Sequence, residues 1–159
     1  MDWPEPVDRV AAVLRTAAVD SRIEEFEEGT PTARAAARAV GCDLSQIVKT
    51  VVLVCDGAYV LALVPGDRRA DEREVAAALG VTEVRVATAD EVRQATGFEP
   101  GGVAPFPQRA VSATLIDRSL LAHDVVWVGA GTPSHMASLG PDELSRLTAA
   151  RVFDGGGDG

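Results

Sequence analysis

Ile47-Val48-Lys49-Thr50-Val51-Val52-Leu53-Val54-Cys55-Asp56-Gly57-Ala58-Tyr59-Val60-Leu61-Ala62-Leu63-Val64 is the stretch whose reading decides the fold. Two runs rich in branched apolar residues flank Asp56-Gly57, and Asp-Gly between apolar runs is among the strongest hairpin signals. The expected strands cover 47–55 and 59–64. Neighbouring antiparallel strands exclude an all-parallel sheet. The same stretch holds the only lysine of a chain whose Lys+Arg total is 15. Lysine is a compact point charge on a flexible stem, whereas arginine presents a flat fork. Lys49 therefore either contacts a single phosphate, carbonyl or hydroxyl oxygen, or is the one lysine left by a biased composition, its head reaching solvent. Strand alternation puts Lys49 and Val51 on one face and Val48, Thr50 and Val52 on the other.

Helical and extended segments alternate around the hairpin. Val10, Val13, Leu14 and Ala17 recur at helical spacing and predict a helix over 8–18. A weak strand is expected within 21–27. Thr30-Pro31 offers a capping hydroxyl followed by proline at the first helical position, and Gly41 closes that helix. Asp71 and Glu74 form a variant capping box for a helix over 71–79 that ends at Gly80. Further on, the sequence predicts a strand over 84–87, a helix over 89–96 stopped by Gly97, strands over 110–116 and 125–128, and a helical turn at 119–121. A final helix begins near Pro141 and carries Leu144 and Leu147 inward. The fold class is α+β, a mixed α/β single domain: a mixed, largely antiparallel sheet or partial barrel flanked by helices. The domain is expected over 1–152, with a disordered glycine-rich tail over 153–159.

Composition narrows the functions. A length of 159 residues and a hydrophobic content of 47% suit one domain with a real core. A net charge of −9 and an aromatic content of 4% argue against broad nucleic-acid binding, which needs cations and stacking surfaces. They leave room for a local basic rim drawn from Arg34, Arg38, Arg68, Arg69, Arg73 and Arg109. Cys42 and Cys55 are too few and too far apart for a metal knuckle or a redox pair. With no secretory or transmembrane run, the expectation is a cytoplasmic protein with reduced thiols, no membrane or DNA partner, no metal and no cofactor.

Three segments can carry chemistry. Lys49-Thr50 is the first. The second is Gly101-Gly102-Val103-Ala104-Pro105, a glycine-rich loop whose free amides either cup an anion or oxyanion or belong to an ordinary turn. The third is Gly129-Ala130-Gly131-Thr132-Pro133-Ser134-His135, at the end of a strand. His135 can serve as acid, base or hydrogen-bond donor, or simply be structural, since no nucleophile is evidently paired with it. Asp117 either caps the turn at Ser119 or orders a site. Cys55 reads as a buried apolar residue. There is no G-x-S-x-G, no phosphate-binding loop of the G-x-x-x-x-G-K type and no H-E-x-x-H.

In this order the segments resemble the YbaK / prolyl-tRNA synthetase editing-domain family. The matching pieces are Gly41 to Thr50, Ala95-Thr96-Gly97-Phe98 leading into Gly101 to Phe106, Leu115-Ile116-Asp117-Arg118-Ser119-Leu120-Leu121, Val128 to Pro133, and Leu139 to Thr148. Pro107, where a glycine is common, and Ser134-His135-Met136 depart from the pattern. The resemblance implies a free-standing aminoacyl-tRNA deacylase, without cofactor, that hydrolyses the ester between a wrong amino acid and the 3′ end of a tRNA, often tRNA for proline. A small amino acid such as alanine, serine or cysteine would be accepted and proline rejected. Lys49 would contact the terminal nucleotide or the carbonyl region, and the amides of Gly101, Gly102, Val103 and Ala104 would hold the carbonyl. Thr50, Pro105, Asp117, Gly129, Gly131 and His135 would border the substrate. The attack would be assisted by the substrate itself, and an aminoacyl-tRNA synthetase is a candidate partner. A non-catalytic module binding the same RNA end, a nucleotide or a synthetase is the other reading of the same residues.

Overall fold

The Asp56-Gly57 hairpin lies at the centre of the molecule in a computed structural model that describes residues 3–26 and 32–158. Asp56 and Gly57 have φ of 47° and 86°, the left-handed pair a two-residue hairpin turn requires. The Asp56 carboxylate accepts from Glu83 N at 2.7 Å and from Thr82 N at 3.1 Å. These two backbone donors hold it below the usual carboxylate range.

In chain order the elements are α1 (Glu5–Thr16), β1 (Ile23–Glu25), α2 (Ala33–Val40), β2 (Val48–Cys55), β3 (Ala58–Pro65), β4 (Arg68–Ala70), α3 (Glu72–Leu79), β5 (Val84–Val86), α4 (Ala89–Thr96), β6 (Ala113–Asp117), β7 (Val126–Gly129), β8 (His135–Leu139), α5 (Pro141–Thr148), β9 (Arg151–Phe153) and β10 (Gly156–Asp158). Short 3-10 turns occupy Leu44–Gln46 and Arg118–Ala122. The main sheet has the order β5-β2-β3-β6-β9. It is antiparallel across β5, β2 and β3 and parallel across β3, β6 and β9. A smaller antiparallel sheet, β1-β8-β7, joins it through a parallel bridge between Ile47 and Trp127. This is the mixed α+β arrangement the hairpin implied.

The alternation of β2 and β3 divides the core. One face carries Val48 and Leu63, which pack with Val10 of α1, Ile116 of β6, Ala137 of β8 and Leu144 of α5. The other carries Leu53, Val60, Ala62 and Val64, closed by Val75 of α3 and Phe153 of β9. Leu61 and Leu63 are fully buried, and each such leucine contributes about 2 kcal/mol.

Element ends show where tertiary contacts decide. Helix α1 starts at Glu5, three residues before the expected start, because prolines are tolerated in a first turn and Val7 extends the buried face. Thr30 and Pro31 lie outside the described residues; Thr32 caps α2 by accepting from Ala35 N at 3.0 Å. Asp71 caps α3 by accepting from Arg73 N at 2.9 Å, while its own amide donates to Gly155 O, so the expected box with Glu74 does not form. Strand β6 begins at Ala113 and not at 110, since Arg109 N and Ala110 N both donate to Ala95 O at the end of α4. Strands β4, β8, β9 and β10 were not expected. The boundary drawn at 152 falls inside β9, and the tail read as disordered includes β10, antiparallel to β4.

Candidate functional site

Strand β5 pairs with β2 only over Leu53–Cys55. The first half of β2 therefore lies beside two loops, one following α4 and one following β7. These loops touch backbone to backbone. A Cβ on Gly102 would lie 2.8 Å from Thr132 Cα and 2.9 Å from Gly131 O, and one on Gly129 would lie 2.6 Å from Val103 O. Here the absence of a side chain serves the approach of one loop to the other. Gly101 is different: its φ of 87° is left-handed, and the nearest atom to an added Cβ is 3.9 Å away. Gly102 N donates to Glu99 O at 3.0 Å. The amides of Gly101, Val103 and Ala104 donate to no backbone carbonyl among the described residues.

Between β2, α2 and the two loops lies a cavity of about 230 Å³. It brings together Lys49, Thr50, Gly101, Val103, Gly129 and His135 of the residues singled out in the sequence. Gly102, Ala104, Pro105 and Gly131 do not line it; Ala104 is buried in the main core. The sequence reading missed Ala33 and Ala36 on α2 and Met136 on β8, which line the cavity beside Thr132 of the third segment. Alanines three apart on a helix carry a signal of close approach, but nothing in the sequence ties that face to β2.

Polar atoms in this cavity are sparsely satisfied. Thr50 Oγ1 is buried with no hydrogen-bond partner among the described residues. The His135 side chain is 3% exposed. Its Nδ1 shares a hydrogen bond with Thr132 Oγ1, which also accepts from Ser134 N at 3.1 Å. Its Nε2 stands 3.2 Å from Glu25 Oε2, off the direction of a hydrogen bond, and its ring meets Trp3 edge to face at 5.5 Å.

Lys49 occupies the boundary between this cavity and a larger one of about 570 Å³ on the opposite face of β2. Its Nζ donates to Arg68 O on β4. Partial burial pushes the ammonium pKa down; Asp67 opposes this shift and Arg69 adds to it. Of the expected rim arginines, Arg69 and Arg73 reach the larger cavity, while Arg34, Arg38 and Arg109 line neither. The loops that could hold a carbonyl face only the smaller cavity.

Two residues stand elsewhere. Asp117, expected to border the substrate, sits at the end of β6 in a separate cavity with Arg68, Arg118, Ser119 and Asp154. It accepts from Ser119 N at 2.9 Å and Ser119 Oγ at 2.8 Å, the capping role that follows from its place before the turn. Cys55 lies in the core under α3, where burial, Asp56 and Glu72 all raise its thiol pKa; it does not meet His135 in the small cavity.

A family model for the aminoacyl-tRNA editing domain matches residues 27–147, and the chain belongs to that family. It is 30% identical over 135 residues to the uncharacterized protein YwhH of Bacillus subtilis (strain 168), covering 84% of this chain and 85% of that protein. It is 32% identical over 104 residues to the proline--tRNA ligase of Xanthomonas campestris pv. campestris (strain 8004), covering 64% of this chain but 18% of the ligase. Among solved structures, a candidate trans-editing enzyme for prolyl tRNA synthetase superposes with a TM-score of 0.90 at 34% identity, covering 98% of this chain and 99% of the other. Among the described residues no helix is long and apolar enough to cross a membrane.

Proposed function

We propose that this protein is a free-standing deacylase that removes a small, wrongly attached amino acid from the 3′ end of a tRNA, with tRNA for proline the first candidate. The observation that carries the reading is the convergence of the Lys49-Thr50 strand, the Gly101–Pro105 loop and the Gly129–His135 segment on one small cavity in a chain of the editing family. Cavities for drug-sized ligands run upward from about 300 Å³. A smaller space walled by Ala33, Ala36 and Met136 suits a short side chain.

The ester carbonyl oxygen would face the loop amides. Water adds to the carbonyl carbon, the bond to the ribose oxygen breaks, and that oxygen leaves with a proton, giving free amino acid and uncharged tRNA. The ribose hydroxyl beside the ester assists the proton transfer, so no protein nucleophile is required. Amides already aimed at a developing oxyanion are worth about 3 kcal/mol each. Thr50 Oγ1 and His135 would orient the amino acid, and Lys49 would hold the nucleotide end. Hydrolysis of the charged tRNA by a protein of this type belongs with translation in the cytoplasm, and a synthetase is the partner that would deliver the substrate.

The test is hydrolysis of tRNA for proline charged separately with alanine, cysteine, serine and proline, by wild type and Lys49→Ala. Rapid release from one mischarged species, lost in the variant, is the expected result. A folded wild type that binds these tRNAs and hydrolyses none would establish the binding module in place of the enzyme.

A further inference from the structure

Asp117 does more than cap a turn. It lines a cavity of about 300 Å³ with Arg68, Arg118, Ser119 and Asp154. This recess shares no lining residue with either cavity beside Lys49. Asp117 is 2% exposed. Its Oδ1 accepts from the amide and the hydroxyl of Ser119. Its Oδ2 is buried with no hydrogen-bond partner among the described residues. A carboxylate oxygen taken out of water without a donor is costly. The cavity that the side chain borders is where a donor can come from.

The protein's own charges leave that place open. Arg118 Nε is spent on Asp154 Oδ1 at 2.8 Å. Arg68 forms no ion pair among the described residues. Once Arg118 and Asp154 are paired, the recess holds one uncompensated cation, Arg68, and one uncompensated anion, Asp117, too far apart to form an ion pair with each other. A metal ion would meet two guanidinium groups here, and an inorganic anion would meet Asp117. A small molecule carrying an ammonium and a carboxylate together satisfies both charges at once.

We infer that this cavity binds a free α-amino acid as its zwitterion, the ammonium on Asp117 Oδ2 and the carboxylate on the Arg68 guanidinium. Both contacts are charge-assisted hydrogen bonds, the strong kind. The site is separate from the small cavity and does not depend on the editing reading. Strand β4 connects it to Lys49, because the Arg68 side chain lines the recess while the Arg68 carbonyl accepts from Lys49 Nζ.

The experiment is an NMR titration of the isotope-labelled full chain with L-alanine, followed through backbone amides. Saturable shifts are expected at Ser119, whose amide donates to Asp117, and at Arg68 and Asp154. Asp117→Asn keeps an oxygen for the cap and replaces the free one by an amide group. Arg68→Gln removes the guanidinium and leaves the carbonyl that Lys49 uses. Each is expected to weaken binding about tenfold or more, the share of one charge-assisted hydrogen bond. Alaninamide lacks the carboxylate and N-acetylalanine lacks the ammonium, and both should bind more weakly by a similar factor. Either of them matching alanine would overturn the zwitterion site, as would unchanged affinity in a variant that melts with wild type. Shifts confined to Thr50, Gly101 and Val103 would put alanine in the small cavity and overturn it too. Should Asp117→Asn fail to fold, Arg68→Gln decides alone, since the Arg68 side chain holds no other part of the structure.

Discussion

At the scale of the residue, Lys49 is set by three local facts: a strand that alternates, a peptide carbonyl at Arg68 that accepts from its Nζ, and enough burial to lower its pKa. If the ammonium helps hold the substrate, its contribution exists only while it is protonated. A lowered pKa means that the charge is lost below the ordinary lysine value of 10.5. Affinity for an uncleavable aminoacyl-nucleotide analogue is therefore expected to be flat at neutral pH and to fall as pH rises toward that value, with no such fall in Lys49→Ala. Titration of both proteins by fluorescence anisotropy checks this; parallel profiles would remove Lys49 from substrate binding. The direction in which Lys49 points was legible from alternation alone. Its acceptor was not, because Arg68 sits on β4, whose place depends on contacts far along the chain. Asp117 shows the reverse: its local capping geometry was legible, while its absence from the small cavity required the path of β6.

Elements show why the loops matter as a pair. Gly102 lies against Thr132 and Gly131, and Gly129 against Val103, so the Gly101–Pro105 loop is held by the loop after β7 and not by its own prolines alone. Gly102→Ala would place a methyl carbon 2.8 Å from Thr132 Cα. All three nearest atoms belong to the Gly131-Thr132 backbone, so no flexible side chain can yield to it. Overpacking of this kind costs about 1–3 kcal/mol of stability. Misaimed amides are expected to lower the single-turnover deacylation rate by about 10²–10³. A loss in rate with substrate affinity retained would separate misalignment from loss of the site. Sequence could identify the glycine-rich loops but not their mutual packing, which involves residues about thirty positions apart in the chain. Strand β8 escaped detection because buried His135 and Ser138 break its apolar run. The hairpin, by contrast, was written in a continuous local signal, and so were the glycines that close α2, α3 and α4.

For the whole molecule, acidity has to be reconciled with the proposed recognition of an RNA end. A net charge of −9 repels a polyanion at long range. Recognition must then depend on a few well-placed cations at the RNA end, and the count is testable. Binding of a single strand to Z cations releases counterions, and the affinity falls with salt at a logarithmic slope of about −0.7 for each. Lys49, with Arg69 and Arg73 in the larger cavity beside it, predicts a slope of about −2 for the trinucleotide pCpCpA. Replacing both arginines by glutamine should reduce it to about −0.7, the share of the lysine. Anisotropy titrations of labelled pCpCpA across a range of salt concentrations measure both slopes. A full acceptor stem should give nearly the same slope as the trinucleotide, because a chain of net charge −9 offers the duplex little to hold. A much steeper slope for the stem would mean that α2, with Arg34 and Arg38, also contacts the duplex backbone. A shallow one leaves the protein dependent on a second protein to present the tRNA, the role a synthetase would fill.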